Sequence, residues 1–200
     1  MSWKAIMVAL TITASIPAVS QVVPSAEQGG LPLRIGGGFS DFGTYVGPDR
    51  MLGGALWVDV TPTGLPLFLN GFGVEAEARY VTVGQTAPGA AGFFRMATLG
   101  GGPTYTVRRF GKFRPYAKFL VDYGVLQMNF PYRGEIYRRQ SEAAYALGGG
   151  AEYHLVGHLW ARGDYEYQMW PDTLLNPNWT LNPQGFTAGV SWDLGNMHRY

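Results

Sequence analysis

Along several stretches of this 200-residue chain, ionisable residues recur at every second position. Arg162, Asp164 and Glu166 alternate with Ala161, Gly163, Tyr165 and Tyr167. Glu75, Glu77 and Arg79 alternate with Val74, Ala76, Ala78 and Tyr80. Arg34, Asp59, Lys118, Asp122 and Glu152 hold the same phase in four further stretches. A period of two places a charged set on one face of a β-strand and an apolar set on the other. Charges of both signs on one strand face suit ion pairing in an enclosed space, because a charge taken out of water needs a partner. Two kinds of chemistry fit. One is a fixed network that satisfies buried charge. The other is a gate, in which salt bridges exchange partners and open a narrow ion path.

Catalysis and metal binding find less support. A hydroxyl nucleophile needs a base within hydrogen-bond reach. The histidines are His154, His158 and His198, and none stands two residues from a serine. Glu152 and His154 share a face, but their strand offers no serine, and Ser191 on the eighth strand, which could lie near the seventh or the first, is thin support for a nucleophile. No His and carboxylate spacing suggests a metal site, and cysteine is absent, which removes thiol chemistry and disulfides. The reading is therefore of a protein that is not an enzyme and carries no cofactor.

The elements that would position these charges are strands throughout. Period-two segments are expected near Leu33–Tyr45, Met51–Thr61, Phe68–Val81, Phe93–Arg108, Pro115–Met128, Glu142–Leu155, Leu159–Trp170 and Gly185–Leu194. Their connections alternate in length. Pro62-Thr63-Gly64, Arg109–Arg114 and Val156-Gly157 are short. Pro88–Gly92 with its flanks, Asn129–Ser141 and Pro171–Gln184 are longer. Short turns at one end and long loops at the other describe an up-and-down barrel. The expected fold is an all-β, eight-stranded antiparallel up-and-down transmembrane β-barrel.

Periodicity alone does not tell a membrane barrel from a soluble one with the opposite faces. Three features favour the membrane. The polar face mixes glycine with large charged residues, as in Gly148, Gly150 and Glu152, which suits a crowded lumen better than a wet surface. Aromatics gather toward the ends of the apolar faces, at Tyr45, Tyr80, Tyr105, Tyr153, Tyr165, Tyr167 and Trp192, where interfacial girdles belong. The chain is only 14 % charged, against roughly a quarter to a third for a soluble surface.

Ahead of the strands, Lys4 precedes the apolar run AIMVALTITASI and the small-residue exit Ala18-Val19-Ser20. That is the pattern of a signal peptide over residues 1–20. Residues 21–30 read as a flexible lead-in and residues 31–200 as the barrel domain. Removing Lys4 leaves 14 basic and 14 acidic residues, so charge balance gives no reason to expect nucleic-acid binding.

Two segments, GGGAEYHLVGHLWARGDYEY and the closing TAGVSWDL, resemble the sixth-to-seventh hairpin and the last strand of small bacterial outer-membrane barrels of the outer-membrane protein A/X/W type. The resemblance spans Leu31 to Tyr200. It implies a Gram-negative-type cell outer membrane, with outer-membrane lipid, lipopolysaccharide, the barrel-assembly machinery and periplasmic chaperones as partners, and a monomer. Asn196 and His198 interrupt the alternation before Tyr200, so the last strand is expected to end near Leu194. Some barrels of this size hydrolyse lipid A with a His–Ser pair two residues apart and a carboxylate. This sequence lacks that pair, which makes hydrolysis the third reading, after an envelope role and a small pore.

Two loops complete the candidate sites. In NFPYRGEIYRRQSE, Arg133, Arg138 and Arg139 stand against Glu135 and Glu142, and guanidinium forks suit lipopolysaccharide phosphates. In WPDTLLNPNWTLNPQ, Trp170, Leu174, Leu175 and Trp179 are expected as exposed tips for partner contact. The glycine triplets at 36–38, 100–102 and 148–150 lie inside strands and read as close packing, not as phosphate loops.

Overall fold

A computed structural model describes residues 33–44, 50–62, 66, 69–87, 90–128, 138–171 and 181–194, with backbone alone at 84–87, 90–92, 128 and 138. The signal-peptide and lead-in assignments, Tyr45, Arg133, Leu174, Leu175, Trp179 and the tail beyond Leu194 lie outside the described residues. Eight strands close into one barrel: β1 (Leu33–Gly43), β2 (Met51–Val60), β3 (Phe72–Ala87), β4 (Ala90–Thr106), β5 (Phe113–Met128), β6 (Arg138–Val156), β7 (Leu159–Met169) and β8 (Gln184–Asp193). Each strand pairs antiparallel with the next, and β8 returns to β1. No helix interrupts the order among the described residues.

Burial follows the alternation. Leu56, Leu99 and Val74 point outward and are 68 %, 64 % and 60 % exposed. Their neighbours Trp57, Thr98 and Glu75 point inward and are buried. This sense is the reverse of a soluble barrel, and it gives the exterior an apolar band that hydrocarbon satisfies. Closure pairs every strand on both sides, so no ladder edge is left in the bilayer. Tyr80, Tyr105, Tyr153, Tyr165 and Trp192 all lie exposed on the outer face. Around the short-turn end, Phe72 stacks edge-on against Tyr105 at 5.0 Å. Toward the loop end, Tyr165 meets Phe186 at 4.9 Å.

The closing seam needs glycine. Gly38 faces Gly189 across β1 and β8. A Cβ on Gly38 would stand 2.5 Å from the Ala188 carbonyl oxygen, and one on Gly189 would stand 2.2 Å from that of Gly37. Only bare backbone lets the first and last strands approach so closely.

The connections differ from expectation in two places. The β3–β4 hairpin runs on to an Ala87↔Ala90 pair, where Pro88–Gly92 had read as a longer loop. Ala90, Ala91 and Gly92 have the small-residue composition of a loop, yet their backbone extends this ladder. The connection from β2 to β3 is longer than Pro62-Thr63-Gly64, because β3 begins at Phe72 and Leu69, Asn70 and Gly71 form a turn before it. The β4–β5 turn is tight. Phe113 N–H donates to the Phe110 carbonyl at 3.3 Å, and Gly111 has φ +64°. A side chain at Gly111 would meet nothing within 4 Å. Gly111→Ala should therefore lower stability only by the left-handed backbone cost of about 1–2 kcal/mol, read from the midpoint of denaturant unfolding in detergent.

Candidate functional site: the lumen

The lumen has three levels, and the strand register sets each one. At mid-height, β3 presents Glu75, Glu77 and Arg79, β5 presents Lys118 and Asp122, and β7 presents Arg162, Asp164 and Glu166. β2 adds Asp59. All are buried. Lys118 Nζ lies at the centre, 2.5 Å from Glu77, 2.9 Å from Glu166, 3.3 Å from Glu75 and 3.5 Å from Asp164. The Arg162 guanidinium reaches Glu75 at 2.8 Å, Asp164 at 3.1 Å and Asp59 at 3.2 Å. Trp57 and Tyr116 flank it, each 4.6 Å from the guanidinium carbon. Arg79 pairs with Glu77 and Glu166. Tyr116 donates its hydroxyl to Asp164 at 2.6 Å. Asp122 belongs to this level, but no ion pair or hydrogen bond reaches its carboxylate among the described residues.

Such an arrangement can hold charge in a low-dielectric interior because each cation meets several carboxylates. Glycine makes the room. A Cβ at Gly36 would fall 2.4 Å from the Trp57 indole, and one at Gly148 would touch the Lys118 stem at 3.0 Å.

Nearer the long loops the lumen turns apolar. Phe42, Met51, Phe94, Met96, Leu126, Trp170 and Leu181 pack into one buried cluster. The register explains how they meet: Phe42 pairs with Met51, Met96 with Leu126, and Trp170 with Leu181. The Arg79 guanidinium carbon sits 4.2 Å from the centre of the Phe42 ring, joining this layer to the charged one. Trp170 had been expected as an exposed loop tip. It is instead 1 % exposed, donates its indole N–H to Gln168 at 3.1 Å, and fills the space that Gly124 leaves open. Its inward direction continues the phase of Arg162, Asp164, Glu166 and Gln168, and that phase overrides the loop composition that follows it. Sequence reasoning missed this layer as a unit.

At the short-turn end Arg34 pairs with Glu152 across the lumen and with Asp193 at 3.5 Å. Trp160 lies under two guanidiniums, with the Arg114 carbon at 4.0 Å and that of Arg34 at 5.2 Å. Arg108, on the turn, is held below its ordinary pKa by burial and by the neighbouring Arg34 charge. The histidines are engaged locally: His154 Nε2 lies 2.8 Å from the Gly157 carbonyl and His158 Nδ1 lies 2.7 Å from that of Asp193. Ser191 Oγ, also at this end, has no hydrogen-bond partner among the described residues, and neither histidine is bonded to it. Among the described residues no group of His, Asp and Glu could hold a metal ion.

Of the loop arginines, only the side chain of Arg139 is described, and it stands apart from this interior. Arg139 is exposed near the start of β6, opposite Gln127. Arg138 lies on the same strand with only its backbone described.

Comparison with known proteins adds a family and a set of folds. The family model for an outer membrane protein beta-barrel domain matches residues 6–193. No curated protein matches the sequence. Among solved structures the chain is similar to Neisserial surface protein A, with 12 % identity and TM-score 0.59 over 80 % of this chain and 95 % of that one. It is similar to Ail, the attachment invasion locus protein of Yersinia pestis, with 16 % identity and TM-score 0.55 over 80 % and 96 %. It is also similar to the outer membrane protein OprG from Pseudomonas aeruginosa, with 14 % identity and TM-score 0.55 over 82 % and 95 %. At these identities the likeness is one of fold.

Proposed function

The chain belongs to the outer-membrane protein β-barrel family, and on that premise we propose that it is a closed barrel with a structural and interactive role in the cell envelope. The observation that carries this reading is the filled lumen, in which a paired charge cluster lies beneath an apolar layer containing Phe42, Met96, Leu126 and Trp170. An ion crossing it would have to shed water among hydrocarbon side chains and then enter a cluster whose cations are already bound. Both steps are costly. The protein reconstituted in a planar lipid bilayer should show no discrete conductance steps in concentrated potassium chloride. Reproducible steps would favour the pore reading instead.

In this reading the long-loop end makes the contacts. Arg133, Arg138 and Arg139 face lipopolysaccharide phosphates, each guanidinium offering a fork of donors to a phosphate. Neutralising all three to glutamine should weaken binding to lipopolysaccharide vesicles by about tenfold or more, with binding to neutral vesicles unchanged. Equal binding by the variant would remove these arginines from the role. The chain acts as a monomer, reaches the membrane with its residue 1–20 leader removed, and is handed over by periplasmic chaperones to the barrel-assembly machinery. We assign it no catalysis, in keeping with the local bonding of His154 and His158.

A further inference from the structure

At the short-turn end the lumen gathers hydrogen-bond donors that no described residue satisfies. Arg108 follows β4, and the bond from Val107 N–H to the Pro115 carbonyl sets it opposite Arg114 on β5. Arg34 lies within electrostatic reach of both. Carboxylates here are fewer than cations. Glu152 and Asp193 stand against Arg34, Arg108 and Arg114, and among the described residues no ion pair or hydrogen bond reaches Arg108. Nε of Arg34 and Nε of Arg108 are buried without an acceptor. One step further in, Ser191 Oγ and Trp57 Nε1 are also buried without partners, each on a side chain only 1 % exposed. Ser191 and Trp57 both flank Gly36, and Ser191 pairs with Trp160 beneath the guanidiniums of Arg34 and Arg114.

Orphaned buried donors are rare in folded proteins and call for an acceptor. The donors here are N–H and O–H groups on four side chains at one end of the lumen, where three guanidiniums face two carboxylates among the described residues. We propose that this vestibule, built by Arg34, Arg108, Ser191 and Trp57, binds a phosphate monoanion that enters from the short-turn side. A single negative charge balances the uncompensated guanidinium. Phosphate oxygens accept from several donors at once, and guanidinium forks match their spacing. The rim suits a phosphate carried on a lipid as well as a free one. Phe110 and Phe113 are 57 % and 47 % exposed on the β4–β5 turn, beside the exposed Arg109 and Lys112.

Trp160 provides the readout. The chain, refolded in dodecyl maltoside, is titrated with sodium phosphate while chloride holds ionic strength constant, and tryptophan emission is followed. The wild type should show a saturable change. Arg108→Gln should weaken it about tenfold, the loss expected for one charge-assisted hydrogen bond. Ser191→Ala removes only a hydroxyl that has no partner in the protein. It should leave the heat-dependent gel shift of the folded barrel intact and still weaken phosphate, an effect that a merely structural role would not produce. Arg95→Gln, on the outer face at the opposite end, should titrate as the wild type. A second arm replaces phosphate by dihexanoyl phosphatidylglycerol, with dihexanoylglycerol as the phosphate-free control. Saturation by the phospholipid at lower concentration than by inorganic phosphate assigns the site to a headgroup, and the reverse order assigns it to free phosphate. Emission that tracks ionic strength alone, or folded Arg108→Gln and Ser191→Ala variants that both titrate as the wild type, would overturn the proposal.

Discussion

Replacing Lys118 with methionine should destabilise the folded barrel by about 3–5 kcal/mol, the cost of breaking a buried ion pair from one side. Lys118 is the cation around which Glu75, Glu77, Asp164 and Glu166 are arranged, and its side chain is fully enclosed. Without it, Arg79 and Arg162, each already paired with two of these carboxylates, leave two positive charges against four negative ones, and Asp122 already has no ion pair among the described residues. Methionine matches the length of the lysine stem, so little packing is lost and the effect isolates charge. The double variant Lys118→Met with Glu77→Gln should recover a substantial part of the loss, because it removes the negative charge that lay nearest Lys118, at 2.5 Å, and reduces the excess of carboxylates. Denaturant unfolding in lipid vesicles, followed by gel mobility, measures both. A Lys118→Met barrel as stable as the wild type would mean that water or bound cations, not the protein, satisfy this level.

Trp170→Ala should cost about 3–5 kcal/mol as well, but for a different reason: it leaves a cavity in the apolar layer. The ring is buried among the side chains that close the loop end, and its N–H anchors it to Gln168, which in turn donates to Glu166 at 2.8 Å. Gly124 supplies an internal check. A Cβ there would lie 2.1 Å from the indole, so Gly124→Ala should be strongly destabilising in the wild type and nearly neutral in the Trp170→Ala background. Additive losses in that cycle would place the tryptophan elsewhere.

The residues that carry the charge were legible in the sequence because a lone period of two has few explanations. Asp59, Glu75, Glu77, Arg79, Lys118, Asp122, Glu152, Arg162, Asp164 and Glu166 are buried facing inward, and Arg34 joins them by pairing with Glu152. Which carboxylate meets which cation was not legible, since strands distant in sequence cross the lumen at heights fixed by register. Arg34 and Glu152 meet across 118 positions. The apolar layer was hidden for another reason. Near the long loops the inward phase itself turns hydrophobic at Phe94, Met96 and Leu126, while Arg95 and Gln127 hold the outward phase, so the polar-inside contrast that marks the lumen elsewhere is reversed there. Trp170 shares the phase of Gln168, but the Pro171 and Asp172 that follow it suggest a loop. The vestibule arginines straddle a turn, where strand phase gives way: Arg108 and Arg114 lie on opposite sides of Gly111.

The sense of the two faces underlies every part of this account. The chain contains no cysteine, so a single cysteine can be placed at will. The most direct measurement puts one at Leu99, which is 64 % exposed in the middle of β4, and attaches a nitroxide label in phosphatidylcholine vesicles. Collision with oxygen, which concentrates in hydrocarbon, should exceed collision with a water-soluble nickel complex. The opposite order would mean that this face is wet, and the apolar and charged faces would then have to be exchanged.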